Sequence, residues 1–396
     1  MARRFPLETR KSLKDMLRTP HPARRPAVAL AAVMILAAGC PHRSPLWSPD
    51  GKRLLVLAGE KGEEVDQPAS SLWVIDVEEG AATRLPPPAD GFRHLAAVWL
   101  DASRFAVAAG RWKDEQIEEG SEAFWTRSVS GEGWSKLDAP PPSGARATRR
   151  LPVVIDATPA AGRPGRALVY PTGAEKVVAV SLETGKTLIE LEPAEVVGPG
   201  PRGGFLIYRQ SASGTDVIAY GKDLEPLWTR SFGDLRAEIA AKLGKKPVEV
   251  VFNDASTSDL PAASPASRVG LTLVFADIGW KEGIPGFYAR LDAADGKVID
   301  AAGAKCLSGT PAGTGDAVWC VTAPGSKDAS PALRRLDLAT GETRASTALE
   351  GARRDTVHGY SLDPSGKRIA VSIAGDAREV RIFDADLGRP TTIRLE

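Results

Sequence analysis

A single turn phrase constrains this chain more than anything else in it. Trp47 to Val56 reads W-S-P-D-G-K-R-L-L-V, and Leu362 to Val371 reads L-D-P-S-G-K-R-I-A-V. In the first copy, Ser48-Pro49-Asp50-Gly51 is a four-residue turn, with Pro fixing one dihedral and Gly free to take positive φ. Each copy runs straight into a β-rich stretch, so each is the inner corner of a hairpin. Two copies near opposite ends bracket a chain of repeated β units.

Outer hairpin turns mark those units. Seven candidates stand at Val77–Gly80, Ser130–Gly133, Leu182–Gly185, Lys222–Glu225, Ala294–Gly296, Leu338–Gly341 and Ala385–Gly388. Nearly all follow a β-rich run, such as L-W-V-I-D-V, V-V-A-V-S-L or V-R-I-F-D-A. Seven units over residues 40–396 average about 51 residues each, a size that suits propeller blades. The fold class is therefore all-β: a single β-propeller of seven four-stranded blades with one short helical insertion. The 39 Gly and 31 Pro fit such a turn-rich chain, and 43% apolar residues supply its core.

Blade 1 has strands at Leu46–Trp47, Arg53–Ala58, Leu72–Val77 and Thr83–Leu85. Blades 2 to 7 cover His94–Leu137, Leu151–Leu191, Glu195–Phe232, Val248–Ala301, Ala304–Thr347 and Gly359–Leu395. The first and last blades each own four strands, so closure of a ring rests on packing without strand exchange. The helix is predicted from Leu235 to Leu243, with Asp234 as its cap, Gly244 as its end, and Leu235, Ile239 and Leu243 on one face.

The S-P-D-G-K-R phrase, followed by strand, loop, strand and a D-x-x-T-G-type turn, resembles the WD-repeat-like blades of the Tol-system periplasmic propeller. The R-L-D-L-A-T-G-E and V-S-L-E-T-G-K turns also resemble quinoprotein-type blades. Such motifs imply architecture and say little of activity. The amino-terminal domain that accompanies the Tol propeller has no counterpart here, so its partners are not carried over.

The first 39 residues form a different segment. Arg3, Arg4, Arg10, Lys11, Lys14, Arg18, Arg24 and Arg25 precede an apolar run from Ala27 to Ala38. Twelve apolar residues are too few to span a bilayer and fit a signal-peptide core. Leu36-Ala37-Ala38-Gly39-Cys40 resembles the bacterial lipobox, which implies cleavage before Cys40 and lipidation of that residue. Residues 1–39 are then a cleaved leader, 40–45 a lipidated tether and 46–396 the propeller. The localisation expected is the bacterial cell envelope, lipid-anchored, with the outer membrane preferred over the inner.

Chemistry is harder to find. With the leader's eight bases and two acids set aside, 43 bases face 48 acids, which argues against a nucleic-acid partner. No G-x-S-x-G elbow occurs, and only His94 and His358 could serve a catalytic triad in the body of the chain. No Cys/His cluster suits zinc, and no cofactor is implied. The reading is a non-catalytic binding or scaffold module, monomeric, held on a membrane and contacting a protein or a glycan. The alternative is an envelope carbohydrate-active enzyme with paired carboxylates in the channel.

Charge supplies the candidate face. Glu60, Glu63, Glu64 and Asp66 fill one loop of blade 1. Asp114, Glu115, Glu118, Glu119 and Glu122 fill its neighbour in blade 2, while Arg146, Arg149 and Arg150 lie in the connection to blade 3. Mutual neutralisation is the plainer reading of the three runs, and a partner site the other. Alternation of strand direction puts these loops, the helix and the tether on one face, the membrane-facing one. The tight turns and an Asp254–Ser267 loop belong to the opposite face. Export also implies a disulfide between Cys306 and Cys320, placed symmetrically about Gly313.

Cys40→Ser is expected to move the protein from the membrane pellet to the soluble fraction, because acyl chains are what hold a soluble body on a bilayer. Fractionation followed by immunoblotting reads the outcome.

Overall fold

The computed structural model describes residues 45–59, 67–118 and 120–139, together with the strands and helix of 153–396 and part of their connections. Strands dominate, and they form seven successive antiparallel sheets, each a meander in sequence order. The first holds β1 (Leu46–Trp47), β2 (Arg53–Ala58), β3 (Ser71–Asp76) and β4 (Ala81–Leu85). The second holds β5 (Phe92–Trp99), β6 (Arg104–Lys113), a short β7 (Gln116–Ile117), β8 (Ala123–Ser128) and β9 (Ser135–Lys136).

The third sheet comprises β10 (Val153–Asp156), β11 (Arg166–Val169), β12 (Val177–Ser181) and β13 (Thr187–Leu191). The fourth comprises β14 (Glu195–Pro199), β15 (Phe205–Ser211), β16 (Gly214–Tyr220) and β17 (Pro226–Ser231). Helix α1 (Phe232–Lys242) follows. The fifth has β18 (Asp254–Asp259), β19 (Val269–Ala276), β20 (Gly286–Asp292) and β21 (Val298–Ala304). The sixth has β22 (Ser308–Thr314), β23 (Ala317–Thr322), β24 (Ala332–Asp337) and β25 (Thr343–Ala348). The seventh has β26 (Val357–Leu362), β27 (Arg368–Ala374), β28 (Arg378–Asp384) and β29 (Thr391–Arg394). Consecutive four-stranded meanders of this kind are the β-propeller type of architecture.

The reason the second strands read as unbroken apolar runs is visible in their burial. Leu54, Val56 and Ala58 of β2 pack with Ala370, Val380 and Ile382 of the seventh sheet. Leu55 and Leu57, on the other side of the same strand, pack with Trp99, Phe105 and Val107 of the second. Both faces are covered, so no alternation survives in the sequence. Burial of such a side chain contributes about 1.5–3 kcal/mol, which makes these junctions the main source of cohesion. Outer strands are half-exposed and do alternate, as in Arg344–Ala348.

First strands of successive sheets touch: β10 with β14, β14 with β18, β18 with β22, β22 with β26, β26 with β1, and β1 with β5. Leu95 and Val98 of the second sheet meet Val178 and Val180 of the third in a shared apolar cluster. Hydrogen bonds from large aromatics reinforce three of these junctions. Trp47 Nε1 donates to the Ser361 carbonyl (3.1 Å), Trp99 Nε1 to the Leu46 carbonyl (2.8 Å), and Tyr360 Oη to the Trp319 carbonyl (3.3 Å).

The turn phrase explains the other end of the strands. Gly51 and Gly366 take φ of 70° and 71°, and each donates its amide back across its turn, to the Ser48 and Asp363 carbonyls. The Ser and Asp exchange places between the copies but keep the contact: Ser48 Oγ to Asp50 (2.6 Å), Ser365 Oγ to Asp363 (2.7 Å). The Arg that closes each turn reaches forward to the next. Arg368 Nη2 donates to the Gly51 carbonyl (2.7 Å), and Arg53 Nη1 to Ala102 (3.3 Å) in a third turn of the same type, Asp101–Arg104.

Three details differ from the sequence reading. Helix α1 starts two residues before Asp234: Ser231 is the cap, accepting the Asp234 amide at 3.1 Å, while Leu235 and Ile239 are buried as expected. The Asp254–Ser267 segment is not all loop, since Asp254–Asp259 is the first strand of the fifth sheet. In the last outer turn the left-handed residue is Leu387 (φ 59°) and not Gly388, and in the fourth it is Leu224 (φ 66°). Helix α1 itself leans on β16, β17 and β21, where Glu238 pairs with Arg230 and accepts the Val298 amide at 3.2 Å.

Replacing Trp99 with Phe is expected to lower unfolding free energy by about 1–3 kcal/mol, because the Leu46 carbonyl loses its donor. Trp73, whose indole nitrogen has no partner, is the control: Trp73→Phe should cost clearly less. Urea titrations of the two variants provide the comparison.

Candidate functional site

The longest strand among the described residues projects beyond its sheet. Strand β6 runs ten residues to Lys113, and its last two pair with β7, Trp112 with Ile117 and Lys113 with Gln116. A two-residue connection of type I′ between paired strands takes positive φ at both positions. Asp114 and Glu115 supply it at 50° and 61°, although neither is Gly or Asn. The result is a hairpin arm with an exposed acidic tip.

The foot of the arm is braced. The Glu118 amide donates to the Arg111 carbonyl (2.8 Å), Ser121 Oγ to the Glu118 carbonyl (2.6 Å), and the Arg111 amide to Ser121 Oγ (2.9 Å). Ile117 is buried against Gly110, where any Cβ would lie 2.6 Å from Ile117 Cγ2, so the close approach demands glycine. Two arginine–aromatic pairs flank it: the Arg93 guanidinium lies 4.5 Å from the Trp112 ring and that of Arg111 5.8 Å from Phe92. Such pairs contribute about 0.5–1 kcal/mol each at exposed sites and hold both partners in place.

The five acids of this segment do not act as one solvated run. Asp114 and Glu115 are exposed at the tip, Glu118 pairs with Arg111 at 3.2 Å, and Glu122 is buried. Glu119 lies outside the described residues, as do Glu60, Glu63, Glu64 and Asp66, the arginines Arg146, Arg149 and Arg150, and Cys40. Cys306 does too. Cys320 is buried in β23, and the register pairs Gly313 with Val318, so the hairpin turns after Gly313 instead of about it. The arginine–aromatic pairs are absent from the sequence reading. Their signal is F-R at the start of β5 and R-W at the end of β6, two dipeptides that antiparallel pairing superposes (Phe92 opposite Arg111).

Of the two possible triad bases, His358 stands on β26 and His94 on β5. His94 is fully buried, and neither ring nitrogen bonds a hydroxyl or carboxylate. Burial alone pushes its pKa down to about 4. Carboxylates do stand on first strands by position: Asp156 on β10, Glu195 on β14, and Asp254 and Asp259 on β18. Among the described residues no group of three or more His, Cys, Asp or Glu could hold a metal ion, and no helix is long and apolar enough to cross a membrane.

No family model matches the chain, and no curated protein matches it. Solved structures do resemble it in fold. A chain of the mitotic checkpoint complex aligns over 84% of this chain and 83% of its own, at 10% identity and a TM-score of 0.48. A eukaryotic initiation factor aligns over 89% and 88%, at 10% identity and 0.42. The dihydro-heme d1 dehydrogenase NirN in complex with DHE aligns over 90% and 66%, at 12% identity and 0.48. All three scores lie below 0.5, and the architecture is defined by the sheet order of this chain alone.

Left-handed conformation at Asp114 and Glu115 carries strain that Asn-Gly would not. The double substitution Asp114→Asn, Glu115→Gly is therefore expected to raise stability by about 1 kcal/mol while keeping the arm. Thermal unfolding checks it.

Proposed function

We propose that the chain is a closed seven-bladed propeller acting as a non-catalytic binding module, carried on the bacterial cell envelope by a lipidated Cys40. Closure is supported by the cross-contacts between first and last sheets, where Trp47, Arg368 and Ser361 bond across the join. Cys320 would be bridged to Cys306, consistent with export to an oxidising compartment. The lipobox-like L-A-A-G-C supports the anchor, and the outer membrane is the preferred site.

The observation that carries the binding reading is the braced arm. A rigid hairpin flanked by stacked Arg and Trp has little side-chain entropy left to lose on contact, and these are the residue types that dominate interface energetics. Strand β1 runs toward the Ser48–Gly51 turn, so Pro45 lies at its far end, the end that the β2–β3 and β6–β8 connections share. A tether leaving there would turn the arm toward the lipid, and the partner would be a membrane-associated protein or glycan. The acids and the arginines of residues 140–150 would widen the same face.

A second reading, a carbohydrate-active enzyme, draws on the four carboxylates placed on inner strands. It would require two of them about 5–10 Å apart in an open channel. Loss of glycan turnover in Asp254→Asn with unchanged binding would favour it.

Capture from detergent-solubilised membranes by wild-type protein and by Trp112→Ala tests the binding reading. Specific partners should fall at least tenfold in the variant, with unchanged circular dichroism. Equal recovery by both proteins would remove the arm from the interface.

A further inference from the structure

One isolated backbone bridge crosses between sheets in the described residues. It joins Ala69 to His94, each amide donating to the other's carbonyl at 2.9 Å. It ties the segment leading into β3 to the first strand of the second sheet. The side chain mounted on this bridge is the buried imidazole with two unpartnered nitrogens.

Among the described residues, no hydroxyl or carboxylate bonds either ring nitrogen. The Trp134 ring lies 6.2 Å from the imidazole, packs edge-on against Phe105, and donates Nε1 to the Pro86 carbonyl at 3.0 Å, pinning the second sheet to the first. On β8 the Arg127 guanidinium lies 5.5 Å from that same Trp134 ring, a positive charge at the junction. On β6, Arg111 is engaged by Glu118. Arg93, on β5 itself, stacks on Trp112. The ion pair of Arg53 and Asp76 belongs to the turn end of the first sheet, and Glu122 packs with Ile117 against Gly110.

We propose that His94 is an acid-operated release: its protonation expels the ring, breaks the Ala69–His94 bridge and frees Gln67–Ser70, while the seven sheets stay folded. An imidazolium donates from both nitrogens, and in the closed form neither nitrogen has a hydrogen-bond partner among the described residues. The proton binds the opened form with an ordinary His pKa of 6.5 and the closed form only near pH 4. Opening is therefore not favoured above pH 6.5, and its equilibrium constant rises roughly tenfold per pH unit between 6.5 and 4. Release would expose the root of the candidate face in an acidified compartment, without use of the hairpin arm. The inference is independent of the partner reading.

Amide hydrogen exchange on the full chain, corrected for intrinsic rates, tests it. Protection of the Ala69 and His94 amides should fall on the order of 100-fold between pH 7 and pH 4.5, with β27 and β28 unchanged. His94→Phe and His94→Gln, neither of which titrates, should abolish that fall, and either variant that folds suffices. Undiminished protection in the wild type at pH 4.5 would overturn the proposal. So would an equal loss in a variant, or parallel loss in every sheet. Should neither variant fold, the ring is read by NMR: titration near pH 6.5 with the bridge intact would also overturn it.

Discussion

Everything in this molecule depends on sheets whose two faces are both apolar. Strand β2 sends Leu54, Val56 and Ala58 one way and Leu55 and Leu57 the other, and neither set can be left in water. A sheet of that kind is stable only between two neighbours, and the seventh and second sheets are those neighbours for the first. Packing supplies the larger share of the free energy, since each buried side chain contributes more than one hydrogen bond does. The aromatic donors Trp47, Trp99 and Tyr360 add direction: they fix how far each inner strand slides along the one before it.

Much of this is legible in the residues. Gly51 must take positive φ, and Arg53 opens a run buried on both faces, so β1 and β2 can be placed to the residue. What escapes is whatever tertiary partners decide. D-A-S-T-S-D, with Thr257 its one β-branched residue, is too polar to read as a strand, and its pairing with V-G-L-T-L-V-F-A makes it one. Ser231 caps α1 although the sequence reads as strand through Phe232. Leu387 accepts the left-handed turn position beside an available Gly388, and no local rule selects it.

The candidate face shows the same division. Composition groups five acids into one loop, yet pairing sends Asp114 and Glu115 outward, Glu118 to Arg111, and Glu122 into the interior. The arginine–aromatic pairs that brace the arm come from residues 19 positions apart, and only antiparallel register brings them together. His94 stands out in the sequence as one of few histidines, which invites a catalytic role. Pairing instead sets it on an inter-sheet bridge, with neither ring nitrogen bonded among the described residues.

The join between first and last sheets also sets an order of events in time. Trp47 meets Ser361 across 314 residues of chain, and Trp73 and Ile75 meet Val380 and Ile382 across about as many. A ribosome or translocon that delivers the chain from its N-terminus leaves one apolar side of the first sheet uncovered until the seventh arrives. At about 5–20 residues per second that wait lasts tens of seconds, long enough for aggregation to compete. That surface of the nascent chain stays open to its own kind until the seventh sheet is delivered, and a protein shortened before β26 would leave it uncovered.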